Sequence, residues 1–87
     1  MRVITCHIQM FSNDQIIRVM DTNSSEVFYQ KTDISELPKV VSALAHQNDI
    51  EKIILDGGAY CEPYAEEIKT IYTLNYGVNN NLEVEVF

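Results

Sequence analysis

Residues 50–68 read IEKIILDGGAYCEPYAEEI, and this stretch decides the fold class. The apolar run 53–55 predicts a buried strand, Asp56-Gly57-Gly58 predicts a turn, and the amphipathic pattern that follows predicts a helix. A strand, a glycine turn and a helix in that order are half of a βαβ unit, so we predict an α/β domain. Proteins of this class bind ligands at the carboxyl ends of their strands, which makes this turn the predicted position of a site.

Three strands are predicted before this stretch. Residues 2–10 alternate polar and apolar side chains with a period of two, and residues 15–20 and 26–31 are rich in β-branched, apolar or aromatic side chains. Short polar segments separate the three runs and predict turns. We therefore expect an antiparallel meander of three strands.

Two helices and two more strands complete the predicted order. Apolar residues in 34–45 recur at helical spacing, and Ser35 is the predicted N-cap because Pro38 then falls in the first turn. The apolar run of the strand at 50–55 lacks alternation, which predicts that both of its faces are covered. Residues 82–86 alternate again and predict a fifth strand with an acidic outer face. The predicted element order is β-β-β-α-β-α-β.

This element order resembles the ribonuclease H-like fold. The resemblance covers residues 1–87 as a single small α/β domain, at the boundary with α+β, and a chain of this length is one domain. It implies a five-stranded mixed sheet in which strands one to three are antiparallel, strand one is central, and strands four and five lie parallel to strand one. A ferredoxin-like fold or another open α/β sandwich is the alternative.

Composition narrows the classes of partner and compartment. With 13 acidic and 6 basic residues the net charge is −7, which disfavours general nucleic-acid binding because Lys and Arg neutralise the phosphates. Residues 1–11 form neither a signal peptide nor a membrane helix, so we expect no membrane association and a cytoplasmic location. Cys6 and Cys61 have no CxxC spacing, and we expect both to be reduced.

The resemblance to the ribonuclease H-like fold also raises the question of catalysis. Enzymes with this fold hold two divalent ions on clustered carboxylates, beginning with an acid in strand one. Here strand one contains no Asp or Glu, although Asp56 matches the place of a second acid. Neither His7 nor His46 has a partner at metal-ligand spacing. We predict no catalytic residue, no metal site and no cofactor.

The candidates for ligand binding are Asp56, Gly57, Gly58 and Tyr60. A glycine pair brings main-chain N–H groups close to a ligand, beside a helix N-terminus that favours anions. Such a site would lie in a pocket above strands one and four, with His7 or Gln9 in its lining. The alternative is a tight strand-to-helix turn, which the glutamates at the start of the following helix favour because they repel anions.

Tyrosines provide the candidates for a protein interface. Tyr64 and Tyr72 fall on the apolar stripe of the second helix and are predicted core residues. Tyr60 and Tyr76 fall off that stripe, and an exposed tyrosine suits an interface because its ring is large and rigid and its hydroxyl is polar.

We predict a small non-catalytic accessory protein that acts through protein–protein interaction or self-association, as a partner-bound chain or a homodimer. Its small size and lack of motifs suggest a viral or mobile-element origin. The alternative is a domain that binds a small ligand or a divalent metal, a degenerate relative of nucleases, with its site at Asp56-Gly57-Gly58.

Overall fold

The computed structural model describes residues 2–11, 14–21, 27–31, 34–77 and 82–87. Short 3-10 turns at Ile34–Glu36 and Ala59–Cys61 precede the two helices. The strands and helices are β1 Val3–Phe11, β2 Asp14–Asp21, β3 Val27–Lys31, α1 Leu37–Gln47, β4 Lys52–Asp56, α2 Glu62–Tyr76 and β5 Glu83–Val86.

The strands pair in the order β3-β2-β1-β4-β5. Strand β1 runs parallel to β4, with Ile4 beside Ile53 and His7 beside Asp56, and β4 runs parallel to β5. On its other side β1 pairs with β2, and β2 pairs with β3, through antiparallel main-chain ladders. The ladder between β2 and β3 shifts register between Val19 and Met20.

Both helices lie on the same face of the sheet, and the direction of the crossovers explains this. The connection from β3 through α1 to β4 and the connection from β4 through α2 to β5 advance in the same direction across the sheet. A crossover between parallel strands is almost always right-handed, so two crossovers in one direction place their helices on one face. Accordingly α1 and α2 contact each other.

The described core lies between this helical layer and the sheet. Strand β1 contributes alternate residues, Ile4, Cys6 and Ile8, and β4 contributes Ile53 and Leu55. The helical layer and its flanking segments contribute Leu37, Val41, Ala45, Ile50, Cys61, Ala65, Ile68 and Tyr72. Val84 and Val86 of β5 pack against this core while remaining half-buried.

The structure corrects the fold class that the sequence predicted. The packed unit is a small α/β fold built on three parallel strands, β1, β4 and β5, and two helices. Strands β2 and β3 pair with this unit through main-chain ladders. We therefore replace the predicted five-stranded ribonuclease H-like sheet with its antiparallel meander by a small α/β fold, in which α1 and α2 pack on the parallel strands.

The prediction that strand four is covered on both faces is wrong. Ile53 and Leu55 are fully buried beneath the helices, whereas Ile54 between them is half-buried and points away from the helices. Both crossovers run in one direction, so neither helix covers the second face.

The helix boundaries differ slightly from the predicted ones. Ser35 lies in the 3-10 turn instead of capping the helix, and α1 begins at Leu37 with Pro38 in its first turn. Proline is accommodated there because its missing N–H would have no partner in a helix's first turn. Helix α2 ends at Tyr76, and Gly77, the predicted stop, follows it with φ of +94°.

Ser42 joins the two helices. It is buried, and its hydroxyl lies 2.6 Å from the carbonyl oxygen of Pro38 and 3.3 Å from that of Ile68 in α2. Its small side chain allows the helix backbones to approach, and these acceptors satisfy its buried hydroxyl. In the described part of the chain, no helix is both long enough and apolar enough to cross a bilayer.

We expect Ile68→Ala to lower the free energy of unfolding by about 2–5 kcal/mol, because truncating a fully buried isoleucine removes its contacts and leaves a cavity. Ile71→Ala in the same helix is the matched control, and we expect a loss of about 1 kcal/mol because Ile71 is only half-buried. Urea unfolding followed by circular dichroism measures both. Equal losses would contradict the packing of α2 described above.

Candidate functional site

His7 and Asp56 meet where the parallel strands β1 and β4 end. They occupy neighbouring register positions, and the Nδ1 atom of His7 lies 3.0 Å from the Oδ2 atom of Asp56. Both side chains are about half exposed, at 45% and 53%. Because a carboxylate only accepts hydrogen bonds, Nδ1 carries the proton in this contact, and Nε2 is left for other partners.

Two glycines in the adjoining turn bind the chain's own main chain. The N–H groups of Gly57 and Gly58 donate to the main-chain oxygen of Phe87 over 3.0 and 2.6 Å. The N–H group of Phe87 donates in turn to the carbonyl oxygen of Leu55 over 2.8 Å. The donors that the sequence suggested for an anion therefore attach the end of β5 to the turn.

Each of the two glycines also has a steric reason to be glycine. Gly58 has φ of +95° and ψ of 179°, a conformation that is essentially restricted to glycine. A Cβ atom on Gly57 would lie 2.9 Å from the Sγ atom of Cys61 and 3.1 Å from the main-chain oxygen of Ile8. Both glycines thus serve the tight passage from β4 to α2.

The start of α2 is acidic. Glu62, Glu66 and Glu67 are exposed, and no side chain caps the helix N-terminus. Carboxylates near the positive end of a helix stabilise the helix but repel an anionic ligand.

Cys6 and Cys61 are buried, and neither forms a disulfide. Burial, with a smaller contribution from the neighbouring Cys61, raises the pKa of the Cys6 thiol to about 12. A thiol with this pKa stays protonated near neutral pH and is a poor nucleophile. Both cysteines are core residues; Cys61, which the sequence placed on the apolar stripe of the second helix, lies in the 3-10 turn before α2 and is fully buried.

Tyr76, a predicted interface residue, is half-buried rather than exposed. Its ring stacks on the ring of His46 with a centroid distance of 3.9 Å and an interplanar angle of 7°. It also contacts Tyr72, whose ring centroid lies 5.2 Å away. These rings join the carboxyl ends of α1 and α2. The side chain of Tyr60, the other interface candidate, lies outside the described part of the structure, as does that of Gln9.

The side chains that point away from the helices form a surface that we call the bare face. On β1, β4 and β5 it consists of Val3, Thr5, His7, Lys52, Ile54, Asp56, Glu83 and Glu85. All are half-buried or exposed, in contrast to the intervening Ile4, Cys6, Ile53 and Leu55.

An ion pair between Lys52 and Glu85 also crosses the bare face. The Nζ atom of Lys52 lies 2.9 Å from the Oε1 atom of Glu85. The hydrogen bond to Glu85 raises the pKa of Lys52, and the charges of Glu85 and Glu83 add to this rise. The sequence interpretation missed Lys52 as a surface residue of interest. The signal was the spacing of Lys52 and Asp56, which lie four residues apart and therefore on the same face of a strand as Ile54.

Among the described residues, no three His, Cys, Asp or Glu side chains converge as a metal ion would require. Comparison with known protein families finds no matching family model, and comparison with curated proteins finds no match.

We expect Gly58→Ala to lower the free energy of unfolding by about 1–3 kcal/mol, because alanine at this φ and ψ strains the backbone. Gly77→Ala provides the comparison, since Gly77 has a similar φ and no atom within 4 Å of the added Cβ. Both losses are measured by urea unfolding. An unchanged stability of Gly58→Ala would contradict the geometry of this turn.

The raised pKa of Cys6 predicts a loss of stability at alkaline pH. Between its ordinary pKa of 9.0 and its pKa of about 12 in the native state, the folded chain binds more protons at this thiol than the unfolded chain does. The free energy of unfolding therefore falls with rising pH, by up to about 1.4 kcal/mol per unit for this group.

Cys6→Ala isolates this contribution of Cys6, because every other group titrates in both proteins. Urea unfolding between about pH 8 and about pH 10 should show a shallower decline for Cys6→Ala than for the wild type. Parallel declines would contradict burial of a protonated Cys6.

Proposed function

We propose that this chain is a small non-catalytic protein that acts by binding another protein chain, and that the bare face is its contact surface. The observation that carries the proposal is that the two helices of the described part of the chain cover the three parallel strands on the same side. Parallel strands in α/β proteins are normally covered on both faces. A partner that covers the bare face completes this arrangement.

The composition of the bare face supports a protein contact. The apolar Ile54 lies at the middle of β4 beside Thr5, and the hydrogen-bonded pair His7–Asp56 and the ion pair Lys52–Glu85 flank it. An apolar centre with a polar rim is the usual anatomy of a protein interface. When a partner displaces water, charged groups that are already paired within the chain have a smaller free-energy cost of desolvation than isolated charges.

The groups that would serve a small ligand have other functions in this structure. The N–H groups of Gly57 and Gly58 are bonded to Phe87, and the Cys6 thiol is buried and protonated. These contacts favour protein binding over the alternative of a ligand site at the Asp56-Gly57-Gly58 turn.

The proposal is tested by affinity capture with the variants Ile54→Lys and Leu74→Lys. Ile54 lies at the centre of the bare face, whereas Leu74 is 79% exposed on α2. Each variant loses one apolar side chain and gains one positive charge, so Leu74→Lys is the matched control. The tagged chain is used as bait in a lysate of its native source that also contains an untagged copy.

We expect at least one protein to be retained by the wild type and by Leu74→Lys but not by Ile54→Lys. The untagged copy of the chain is included among the proteins that can be retained. Binding is then measured by calorimetry with the purified captured protein. Thermal unfolding verifies that both variants are folded. The proposal fails when no captured protein depends on Ile54, or when both variants lose the same proteins.

A further inference from the structure

The outward residues of β4 have an order of charges that is complementary to itself. Lys52, Ile54 and Asp56 point to the bare face and read positive, apolar, negative along the strand. When a second copy of such a strand is laid over the first in the opposite direction, each positive group faces a negative group and the apolar residues face each other.

We propose that the partner of the bare face is a second copy of this chain. The two sheets stack face to face about a two-fold axis, which lies between the sheets, passes beside Ile54 and runs perpendicular to β4. This inference rests on the proposed function, because it names the occupant of the same surface. A two-fold axis makes every contact occur twice, so one complementary pair stabilises the dimer at two places.

The contacts follow from the positions of the residues in the sheet. Ile54 faces Ile54 of the second copy at the axis. Lys52 faces Asp56 of the second copy, and Asp56 faces Lys52 of the second copy. Stacked sheets lie about 10 Å apart, a gap that a lysine and an aspartate span together. Stacked strands cross at about 30°, so the overlap is greatest on β4 and smaller on its neighbours.

The remaining charges of the bare face are compatible with this arrangement. Glu85 lies in register with Ile54 and therefore near the axis, where it approaches Glu85 of the second copy. Lys52 of the same chain neutralises it at 2.9 Å. His7 is held at 3.0 Å from Asp56 of the same chain. Glu83 lies beside Lys52 on the outermost strand, β5.

The bare face spans the three strands β1, β4 and β5, so it is about 14 Å wide at the usual strand spacing. The five residues of β4 extend over about 17 Å. The product, about 240 Å², is below the roughly 800 Å² that each partner contributes to an ordinary stable interface, so we expect a weak dimer. Each copy has a net charge of −7, and physiological salt screens that repulsion beyond about 8 Å.

Analytical ultracentrifugation of charge-reversal variants tests the inference. The wild type should sediment as a dimer that dissociates on dilution. Lys52→Glu and Asp56→Lys each create two repulsive contacts across the axis, and each should raise the dimer Kd by about tenfold or more. An equimolar mixture of the two variants should form a heterodimer, because each of its two contacts then joins opposite charges.

Lys69→Glu and Glu66→Lys are the matched controls. These residues form an ion pair of 3.9 Å on the exposed side of α2, and their reversal changes the net charge by the same amounts. We expect both controls to dimerise with the Kd of the wild type. Equal weakening by the controls and by the bare-face variants would overturn the inference, because net charge alone would then account for the effect.

Thermal unfolding verifies that each variant is folded. Lys52→Gln and Asp56→Asn serve where a reversal unfolds the chain. Each removes an attraction without adding repulsion, and each should raise the dimer Kd several-fold. The inference is overturned by a wild type that stays monomeric at every concentration at which it is soluble, or by a mixture of folded single variants that stays monomeric. Such a result does not contradict the proposed function if the capture experiment finds a different protein whose binding requires Ile54.

Discussion

The burial of one face of the β1–β4 pair under both helices is the constraint on which the rest of the structure depends. Ile4, Cys6, Ile53 and Leu55 are completely buried there, and the described core extends from them into α1 and α2. Two right-handed crossovers that advance in one direction put both helices on this face. The same geometry leaves the opposite face of β1 and β4 without a helix from the described part of the chain, so the stability of the domain and the exposure of the proposed contact surface have a common origin.

The glycine turn after β4 illustrates how a local pattern and its tertiary role can differ. A glycine pair before a helix is suited to bind an anion, since its N–H groups are accessible. In the folded chain these groups donate to Phe87, and a side chain on Gly57 would collide with Cys61 and Ile8. The turn therefore holds β5 against β4 and lets α2 begin close to the sheet.

Much of the local structure was predictable because it depends on residues that are near each other in sequence. The alternation in 2–10 corresponds to β1, the proline and the apolar stripe correspond to α1, and Gly77 ends α2. The Asp56 turn was predicted as well, but its partners His7 and Phe87 were not paired with it, because they are distant in sequence and are brought near only by β1 and β5. The half-buried position of Tyr76 was not predicted either, since it depends on stacking against His46 of the other helix.

The sequence by itself determined which segments are strands and helices, where the tight turns lie, and which side chains of each segment are apolar, because periodicity and turn chemistry act over a few residues. Only the tertiary structure decided which face of each strand is covered, because that depends on the direction of the crossovers between distant segments. The apolar run at Ile53, Ile54 and Leu55 illustrates the difference: its composition predicts burial on both sides, and the placement of α1 and α2 leaves Ile54 at the centre of an uncovered surface.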